Sequence, residues 1–387
     1  MERRKVLVIG MFDSIHLARW LSQFEDQSID FFLLPSKKFK YLNYELVKLI
    51  KSKNIAKYTF FKPYFCFKYI GYMDYILNIL FKTINKDFRR ILLKRVLIRN
   101  QFNLVHAIEI QGAGYLYDSL PMGISDRNTM ILTNYGSDIY YFREIPEENK
   151  KIKSVLTKAR FYSGECQRDY EIALGLGFVG KFLPCIPNAG GFKNDIFDLN
   201  IVASENRNLI VAKCYGGVFG LGGLIIDALS AFLVDKPDIK IVIHSVTDDL
   251  LEKSIEFKNT FPKQVSCFKV REKIPRALLL EYLSNARIYI GASKSDGIST
   301  SFLEALCLGA YPIQTNTSCA NEWINLGFYG SIIEPKSTEI LNAINMSYSD
   351  MDLDHKRIRN LSNAKKHLSY SLIKSQAHKF YEVNGEQ

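Results

Sequence analysis

The chain has 387 residues, 47% of them apolar, and a formal net charge of +11, and this length favours two domains of ordinary size over one. No run of about 18 uncharged apolar residues occurs, so no transmembrane helix is expected, and residues 1–10 have the pattern of a first strand rather than of a signal peptide. The seven cysteines are scattered without the spacing of metal ligands, so we expect reduced thiols in a cytosolic protein.

The first half of the chain alternates short β-branched runs with helical periods, which is the pattern of an α/β domain. Strands are predicted at residues 5–9, 29–33, 104–106, 129–133 and 159–162. Helices are predicted between them, including a long basic stretch from about 68 to 100.

Residues 35–100 carry most of the charge, with sixteen Lys and Arg against three acidic residues. Aromatic residues are interleaved with the basic ones in this segment, as in residues 58–72. We therefore interpret residues 36–100 as a helical insertion that docks on an anionic membrane surface. Nucleic acid would attract the same charge, but no nucleic-acid module signature is present, so none is expected as a partner. Core-facing helices with solvated basic faces are a further alternative.

A segment rich in Pro and Gly, residues 184–191, interrupts both periodicities and predicts a domain join. A second series of strands follows at 208–212, 239–244, 265–268, 287–290 and 311–313. Helices are predicted at about 221–233, 250–258, 276–285, 301–308 and 320–326, with a last one at 352–383. We expect two doubly wound, Rossmann-like domains, 1–187 and 188–355, that face each other across a cleft with ligands at the C-terminal strand ends.

The segment most informative about function is 293–313, where Asp296 and Glu304 stand eight positions apart. A predicted strand precedes it and a predicted helix follows, so the polar loop leads into a helix N-terminus whose free N–H groups attract an anion. Asp296 falls in the loop, and Glu304 falls about one turn into the helix. Two carboxylates that accept hydrogen bonds from hydroxyls, beside N–H groups that hold phosphate, suit a nucleotide sugar.

This segment, with the Gly309-Ala-Tyr-Pro312 stretch after it, resembles the acidic motif of retaining GT-B glycosyltransferases of family 4. The first acid of that motif is usually Glu and is Asp296 here. The resemblance implies that Asp296 and Glu304 hold donor hydroxyls, with Glu304 on the ribose. It also implies that the last helix, 356–387, crosses back to the first domain. The residues that would offer N–H and hydroxyl groups to the diphosphate are Gly297, Ile298, Ser299, Thr300 and Ser301.

The glycine-rich stretch after the strand at 208–212 is a second candidate phosphate site, with Gly216 and Gly217 near its centre. The family places a basic pair here, and Lys213 matches its first member, but no basic residue follows until Lys236. Either Lys213 acts with backbone N–H groups alone or another cation enters. The candidates are Lys294, Arg271 and Lys273. The resemblance further implies that the loop around Ile274 holds the base through its backbone.

Strand-end segments of the first half supply the candidate acceptor side. His16, a candidate catalytic residue, lies in a Ser-x-His-x-x-x-Trp string that resembles the start of several family members, and the alternative is a helix-surface residue with no role. Glu109 follows the strand at 104–106. In the Gly-Ser-Asp segment at 133–139, many relatives have His where this chain has Tyr135. Asn134 or Tyr135 would then supply the sugar contact, and Asp138 is either functional or a helix cap.

These observations predict a retaining glycosyltransferase that moves a sugar from a UDP- or GDP-type donor to a hydroxyl acceptor, without cofactor or metal. Lys213 would offset the charge on the leaving phosphate. A lipid-linked or oligosaccharide acceptor at the inner face of the cell membrane would place the enzyme in polysaccharide, lipopolysaccharide or glycolipid synthesis. Two alternatives remain, namely a nucleotide-sugar epimerase that needs no acceptor and a degenerate relative that only binds membrane, sugar or partner.

Overall fold

The computed structural model describes residues 3–39, 41–60, 88–125, 128–188, 190–198, 207–272 and 274–383. The chain forms two compact units. Unit 1 consists of Met1–Gly190 with Ile373–Gln387, and unit 2 consists of Gly191–Leu372. Among the helices that the structure describes, none combines the length and apolar character needed to cross a lipid bilayer.

The sheet of unit 1 has seven parallel strands in the order β3-β2-β1-β4-β5-β6-β7. These strands are β1 Arg4–Gly10, β2 Ile29–Pro35, β3 Lys57–Phe60, β4 Leu104–Ile108, β5 Met130–Thr133, β6 Phe161–Ser163 and β7 Lys181–Phe182. The α-helices described in this unit are Ile15–Ser22, Tyr44–Lys51, Phe88–Arg99, Tyr115–Asp118, Met122–Ser125, Ser137–Tyr140, Pro146–Lys158, Gln167–Gly175 and the C-terminal Tyr370–Glu382. A π-helix, Ile110–Gly114, follows β4.

The central strands of unit 1 are apolar on both faces. Val6, Leu7, Val8 and Ile9 of β1 are fully buried. Because successive strand residues point to opposite faces, Leu7 and Ile9 enter one core while Val6 and Val8 enter the other. Helices cover both faces of such a sheet, which explains the near-continuous hydrophobic runs that mark these strands in the sequence.

Unit 2 has a six-stranded parallel sheet in the order β10-β9-β8-β11-β12-β13. The strands are β8 Leu209–Lys213, β9 Lys240–Val246, β10 Val265–Lys269, β11 Ala286–Gly291, β12 Tyr311–Thr315 and β13 Ser331–Ile333. Its α-helices are Asn194–Phe197, Gly222–Leu233, Leu251–Thr260, Arg276–Asn285, Thr300–Leu308, Ala320–Asn325, Ser337–Tyr348 and Leu353–Leu368. The expectation of two doubly wound parallel sheets is confirmed.

The ten predicted strands all occur, and three further strands, β3, β7 and β13, were not predicted. Each of the three is short and lies at or near a sheet edge, where half of the surroundings is solvent and the hydrophobic pattern is weak. Of the basic helix expected at about 68–100, the described part is Phe88–Arg99. The rest of that segment, with most of its aromatic residues, lies outside the described residues.

The prediction of a single last helix at 352–383 is wrong, because the chain breaks at Ser369 into Leu353–Leu368 and Tyr370–Glu382. Ser369 is extended, with φ −61° and ψ 142°. Phe192 donates its N–H to the Leu368 carbonyl and accepts the Tyr370 N–H, both at 2.7 Å. A continuous helix would bury these groups in its own hydrogen bonds, so the pairing with Phe192 accounts for the break.

The helix after the break packs into the core of unit 1. Its Tyr381 hydroxyl lies 2.7 Å from Nδ1 of His106 and accepts the indole N–H of Trp20 at 2.9 Å. The other His106 nitrogen, Nε2, lies 2.7 Å from the Thr133 hydroxyl. Burial lowers the pKa of His106 to about 3, so this imidazole is neutral and its role is structural.

Candidate functional site

The candidate site of unit 2 lies at the carboxyl ends of three adjacent strands, β8, β11 and β12. Lys213 ends β8 and stands in register with Gly291, which ends β11. Residues 214–221 follow β8 and are called the glycine loop here. Residues 292–299 follow β11 and are called the acidic loop. Because parallel strands end at one sheet edge, both loops lie beside each other, at the position where doubly wound sheets bind ligands.

The glycine loop is held by bonds within unit 2. The N–H of Gly216 donates to the Thr247 hydroxyl, and the N–H of Gly217 donates to the Asp249 carboxylate, both at 2.8 Å. A side chain at position 216 would collide with the same Asp249 carboxylate, and Gly217 has φ +68°. Backbone conformation therefore favours glycine at 217, and the absence of a side chain at 216 leaves room for the Asp249 carboxylate. Their N–H groups, expected on the diphosphate, already have protein partners.

Asp296 stands at the centre of the acidic loop and is half-buried. Its N–H donates to the Thr317 carbonyl at 3.2 Å, and its Oδ1 accepts the N–H of Gly297 at 3.0 Å. The following side chain, Ile298, is buried and packs in the hydrophobic core. Gly297 thus fixes the Asp296 carboxylate, and the hydrophobic anchor of Ile298 holds the loop on the sheet.

The helix Thr300–Leu308 starts directly after the acidic loop, with Ser299 as its N-cap residue. In the described structure, the Ser299 side chain makes no capping hydrogen bond. The N–H groups of Thr300 and Ser301 have no carbonyl one turn earlier in the helix. They remain directed out of the helix end, together with the positive end of the helix dipole. This helix end can bind an anion.

Glu304 lies one turn into this helix and is only 2% exposed. Its Oε1 accepts a hydrogen bond from Nη1 of Arg276 at 2.6 Å, which is also an ion pair. Arg276 is the first residue of the helix Arg276–Asn285 and was not predicted as a site residue. The two residues are 28 positions apart, so no local spacing could have indicated the contact. Ile274, the predicted base contact, lies two residues before Arg276 and is half-buried.

Lys213 is the cation at the end of β8. Its Nζ lies 4.9 Å from the ring centroid of Tyr215, and within the described residues it forms no ion pair. Its neighbour on β9 is His244, whose pKa is lowered to about 3 by burial and by the Lys213 charge. Burial and the charge of Asp296 raise the pKa of Tyr215. Lys213 thus lies beside a buried neutral imidazole, His244, and the ring of Tyr215.

Of the three candidates for a second cation, Lys294 lies on the acidic loop itself. Its side chain is exposed, and in the described part of the chain it has no ion-pair partner. Arg271 pairs with Asp248, and Lys273 lies outside the described residues. Lys294 is therefore the candidate that lies on the same loop as Asp296, two residues before it.

In unit 1, Glu109 and Asp138 together hold the start of the π-helix Ile110–Gly114. The Glu109 carboxylate accepts the N–H groups of Gly112 and Ala113 at 2.9 and 2.8 Å. Glu109 has φ +81°, a backbone conformation that is strained for any residue other than glycine. Asp138 accepts the N–H groups of Ile110 and Tyr135 at 3.0 and 2.8 Å. Asp138 does not cap its own helix, Ser137–Tyr140, whose N-cap is Gly136; its carboxylate instead holds the backbone of Ile110 and Tyr135.

Burial dominates the titration of these carboxylates. It raises the pKa of Asp138 to about 7, against the bonds from Ile110 and Tyr135 and with the help of the Glu109 charge. Burial also raises the pKa of Glu109. The Tyr135 phenol has its pKa raised by burial and by the charges of Glu165, Glu109 and Asp138. Tyr135 therefore stands as a neutral phenol within a group of acids.

His16 and Asn134 flank Tyr135 in different ways. The ring of His16 lies 5.7 Å from that of Tyr135, so unit 1 brings these two predicted residues together. The Asn134 side chain donates to Asp169 at 2.6 Å and accepts from the Tyr162 hydroxyl at 2.9 Å. Asn134 is fully buried. Its amide is engaged in the interior of unit 1, which leaves Tyr135 as the better placed of the two for a ligand.

Comparison with known protein families and structures agrees with this arrangement. Residues 223–366 match the family model "Glycosyl transferases group 1". Anabaena HepE in complex with UDP-glucose superposes with a TM-score of 0.67 at 12% identity, over 98% of this chain and 99% of that one. This is the GT-B fold. No curated protein sequence gave a match.

Two further GT-B structures are similar along their whole length. A glycosyltransferase from Rickettsia africae has a TM-score of 0.65 at 14% identity, with 99% of this chain and 98% of that one covered. The trehalose 6-phosphate synthase of Burkholderia multivorans has a TM-score of 0.66 at 10% identity, with 99% of both chains covered. At such identities the likeness shows the fold and leaves the substrate to the residues of the site.

Proposed function

We propose that this protein is a retaining glycosyltransferase that uses a nucleoside-diphosphate sugar as donor. The observation that supports this most is the placement of Asp296, Glu304 and an uncapped helix N-terminus at one edge of the unit 2 sheet. Donor hydroxyls would bond the two carboxylates, and the diphosphate would lie on the N–H groups of Thr300 and Ser301. The UDP-glucose complex of HepE supports a UDP sugar as the first donor to test.

In this proposal Lys213 stabilises the charge that develops on the departing diphosphate. No ion pair within the described residues competes for it. Lys294 supplies a second positive charge from the acidic loop, in place of the basic residue that the glycine loop lacks. Fixed N–H dipoles and two lysines would then take the part that a divalent metal plays in other sugar transfers. We expect activity to persist in the presence of a chelator.

The acceptor would bind at the strand ends of unit 1, near His16, Tyr135 and Glu109. Neutral Tyr135 offers a hydrogen-bond donor to a sugar or acceptor hydroxyl. The buried carboxylates Glu109 and Asp138 fix the π-helix after β4, which shapes this surface. A catalytic role for these two would require a proton to move in a region that is closed to water, so we assign them to support.

A lipid-linked acceptor at an anionic membrane is supported by the helix Phe88–Arg99. One face packs in the core through Leu93, Val96 and Leu97. The opposite face is exposed and carries four cations and two isoleucines, and the helix has no acidic residue. The exposed residues are Arg90, Ile91, Lys94, Arg95, Ile98 and Arg99. Cations around exposed apolar side chains suit the headgroup region of a membrane.

Nucleotide binding tests the donor proposal. Isothermal titration with UDP and GDP should give saturable binding to the wild-type protein, and Asp296→Asn and Glu304→Gln should weaken it or abolish transfer from the corresponding sugar nucleotide. Glu256→Gln, an exposed glutamate elsewhere in unit 2, is the matched control and should change neither. Absence of binding to any nucleoside diphosphate would refute the proposal. Release of an epimerised sugar from donor alone would favour the epimerase instead.

Vesicle sedimentation tests the membrane proposal. Binding should rise with the fraction of anionic lipid, fall with salt, and weaken when Lys94 and Arg95 are both replaced by Glu. Replacing the exposed Lys150 and Lys153 by Glu on another helix of unit 1 makes the same charge change and is the control. Equal binding to neutral and anionic vesicles would contradict the proposed surface.

A further inference from the structure

Arg276 stands where helix electrostatics disfavour a cation. It is the first residue of the helix Arg276–Asn285, whose first turn has no acidic residue. The N-terminal end of a helix carries positive partial charge, so a guanidinium there costs stability and a carboxylate would be preferred. Pro275 before it already starts the helix as its N-cap. Helix formation therefore does not explain the arginine at this position.

The contact with Glu304 does explain it. Glu304 is 2% exposed, and a carboxylate at that depth is unfavourable unless it has a partner. Arg276 provides that partner through Nη1 and Oε1 at 2.6 Å. In the described residues, neither the Arg276 side chain nor the Glu304 side chain forms any other hydrogen bond. One carboxylate oxygen is thus fixed by Arg276, and no residue that the structure describes donates a hydrogen bond to Oε2.

The arginine side chain also keeps contact with solvent, since 46% of it is exposed. The ion pair therefore lies at the border of the site, with the carboxylate inside and the guanidinium outside. A cyclic diol that approaches from the acidic loop can use Oε2 without displacing Arg276. Arg276 holds Oε1 in place, and Oε2 can then accept a hydrogen bond from the ligand. Glu304 is in this sense a preorganised hydrogen-bond acceptor.

We propose that Arg276 is the positioning residue that makes Glu304 selective for a nucleotide with an intact ribose diol. This inference rests on the proposed function and adds to it a residue that positions Glu304. Arg276 acts through Glu304. Its loss should therefore remove the contribution of the ribose diol to binding affinity and leave the contributions of the phosphates and the base.

The test is calorimetric titration with UDP and with 2′,3′-dideoxy-UDP, or with the guanosine pair if the wild-type protein binds GDP. The wild-type protein should bind the ribonucleotide about tenfold more tightly or better, the ratio expected for hydrogen bonds to a charged group. In Arg276→Ala this ratio should fall to near one, with the affinity for the dideoxy nucleotide unchanged. Arg276→Lys should recover part of the ratio.

Two further variants make the test specific. Glu304→Gln should lose the same ratio, and the double variant with Arg276→Ala should lose no more, because the two residues act as one unit. Arg359→Ala removes another arginine of unit 2, exposed on the helix Leu353–Leu368, and should keep the wild-type ratio. The melting temperature of each variant identifies any that fails to fold, in which case Arg276→Gln and Arg276→Lys provide the ratio.

Three results would overturn the inference. Arg276→Ala could weaken the binding of both nucleotides equally, which would mean that the guanidinium contacts the phosphates or the base. It could also leave the preference for ribose intact, which would make the ion pair purely structural. A wild-type protein that binds neither the uridine nor the guanosine nucleotides would overturn the proposed function together with this inference, and that result is distinguishable from the other two.

Discussion

The backbone N–H of Lys294 donates to the carbonyl oxygen of Phe219 at 2.7 Å. This bond joins the acidic loop to the glycine loop, and the bond from Leu221 to the Ala292 carbonyl joins them a second time. The two loops therefore form one surface at the end of β8 and β11. A ligand on one loop is within reach of the cation on the other.

Replacing Lys213 by Ala should reduce the turnover number by about 100-fold or more, since one charged or dipolar group at a developing anion contributes that much. The Michaelis constant for the donor should change less, because the charge grows mainly in the transition state. Steady-state kinetics measure both. Lys258→Ala, an exposed lysine on the helix Leu251–Thr260, is the control and should retain wild-type kinetics.

Replacing Lys294 by Ala should have a smaller effect of the same kind, about tenfold, because its side chain is exposed and solvent screens its charge. Since Lys294 holds the glycine loop through its backbone, the substitution leaves that bond intact. The loss should grow as ionic strength falls. Kinetics that do not depend on the residue at 294 at low salt would assign the second charge to another group.

Asp138 predicts a pH dependence of stability. Its pKa is raised to about 7 in the folded protein from an ordinary value near 3.8, chiefly by burial. The native state therefore holds a proton that the unfolded state releases, and stability falls as the pH rises through 7. Between pH 5 and 8 the wild-type protein should lose on the order of 2 kcal/mol relative to Asp138→Asn, which stays neutral.

Thermal unfolding at the two pH values measures this difference. The gap in melting temperature between the wild-type protein and Asp138→Asn should narrow or reverse from pH 5 to pH 8. Asp195→Asn, an acid of unit 2 in an exposed position, should show a constant gap. A constant gap for Asp138→Asn as well would mean that its two backbone bonds keep it ionised at both values.

Tyr381→Phe should destabilise unit 1 by about 1–3 kcal/mol, because it leaves the buried His106 and the Trp20 indole without their shared hydroxyl partner. Packing of the ring is retained, so the loss reports the hydrogen bonds. Denaturant unfolding followed by tryptophan fluorescence measures it. Tyr44→Phe, whose ring is 75% exposed, should stay within about 0.5 kcal/mol of the wild-type protein. Equal stability of both variants would contradict this account.

Local patterns predicted much of this architecture. The buried strands have unbroken apolar runs, and Asp296 and Glu304 have their relation fixed by one loop and one helical turn. Contacts between residues far apart in the sequence could not be predicted from such patterns. Neither the pairing of Arg276 with Glu304 nor the use of the Gly217 N–H by Asp249 has a local signal. The two glycines at 216 and 217 predicted a phosphate site because glycine-rich loops often bind phosphate. In the structure their N–H groups bond to Thr247 and Asp249 instead.

The pairing of Phe192 with the residues on both sides of Ser369 has a consequence for how this chain can be divided. Two backbone hydrogen bonds join Phe192, near the start of unit 2, to Leu368 and Tyr370, near its end. The first and last residues of unit 2, Gly191–Leu372, therefore lie next to each other within that unit. Exchanging residues 191–372 for the same segment of another GT-B protein should transplant its donor preference while the recipient keeps its own acceptor.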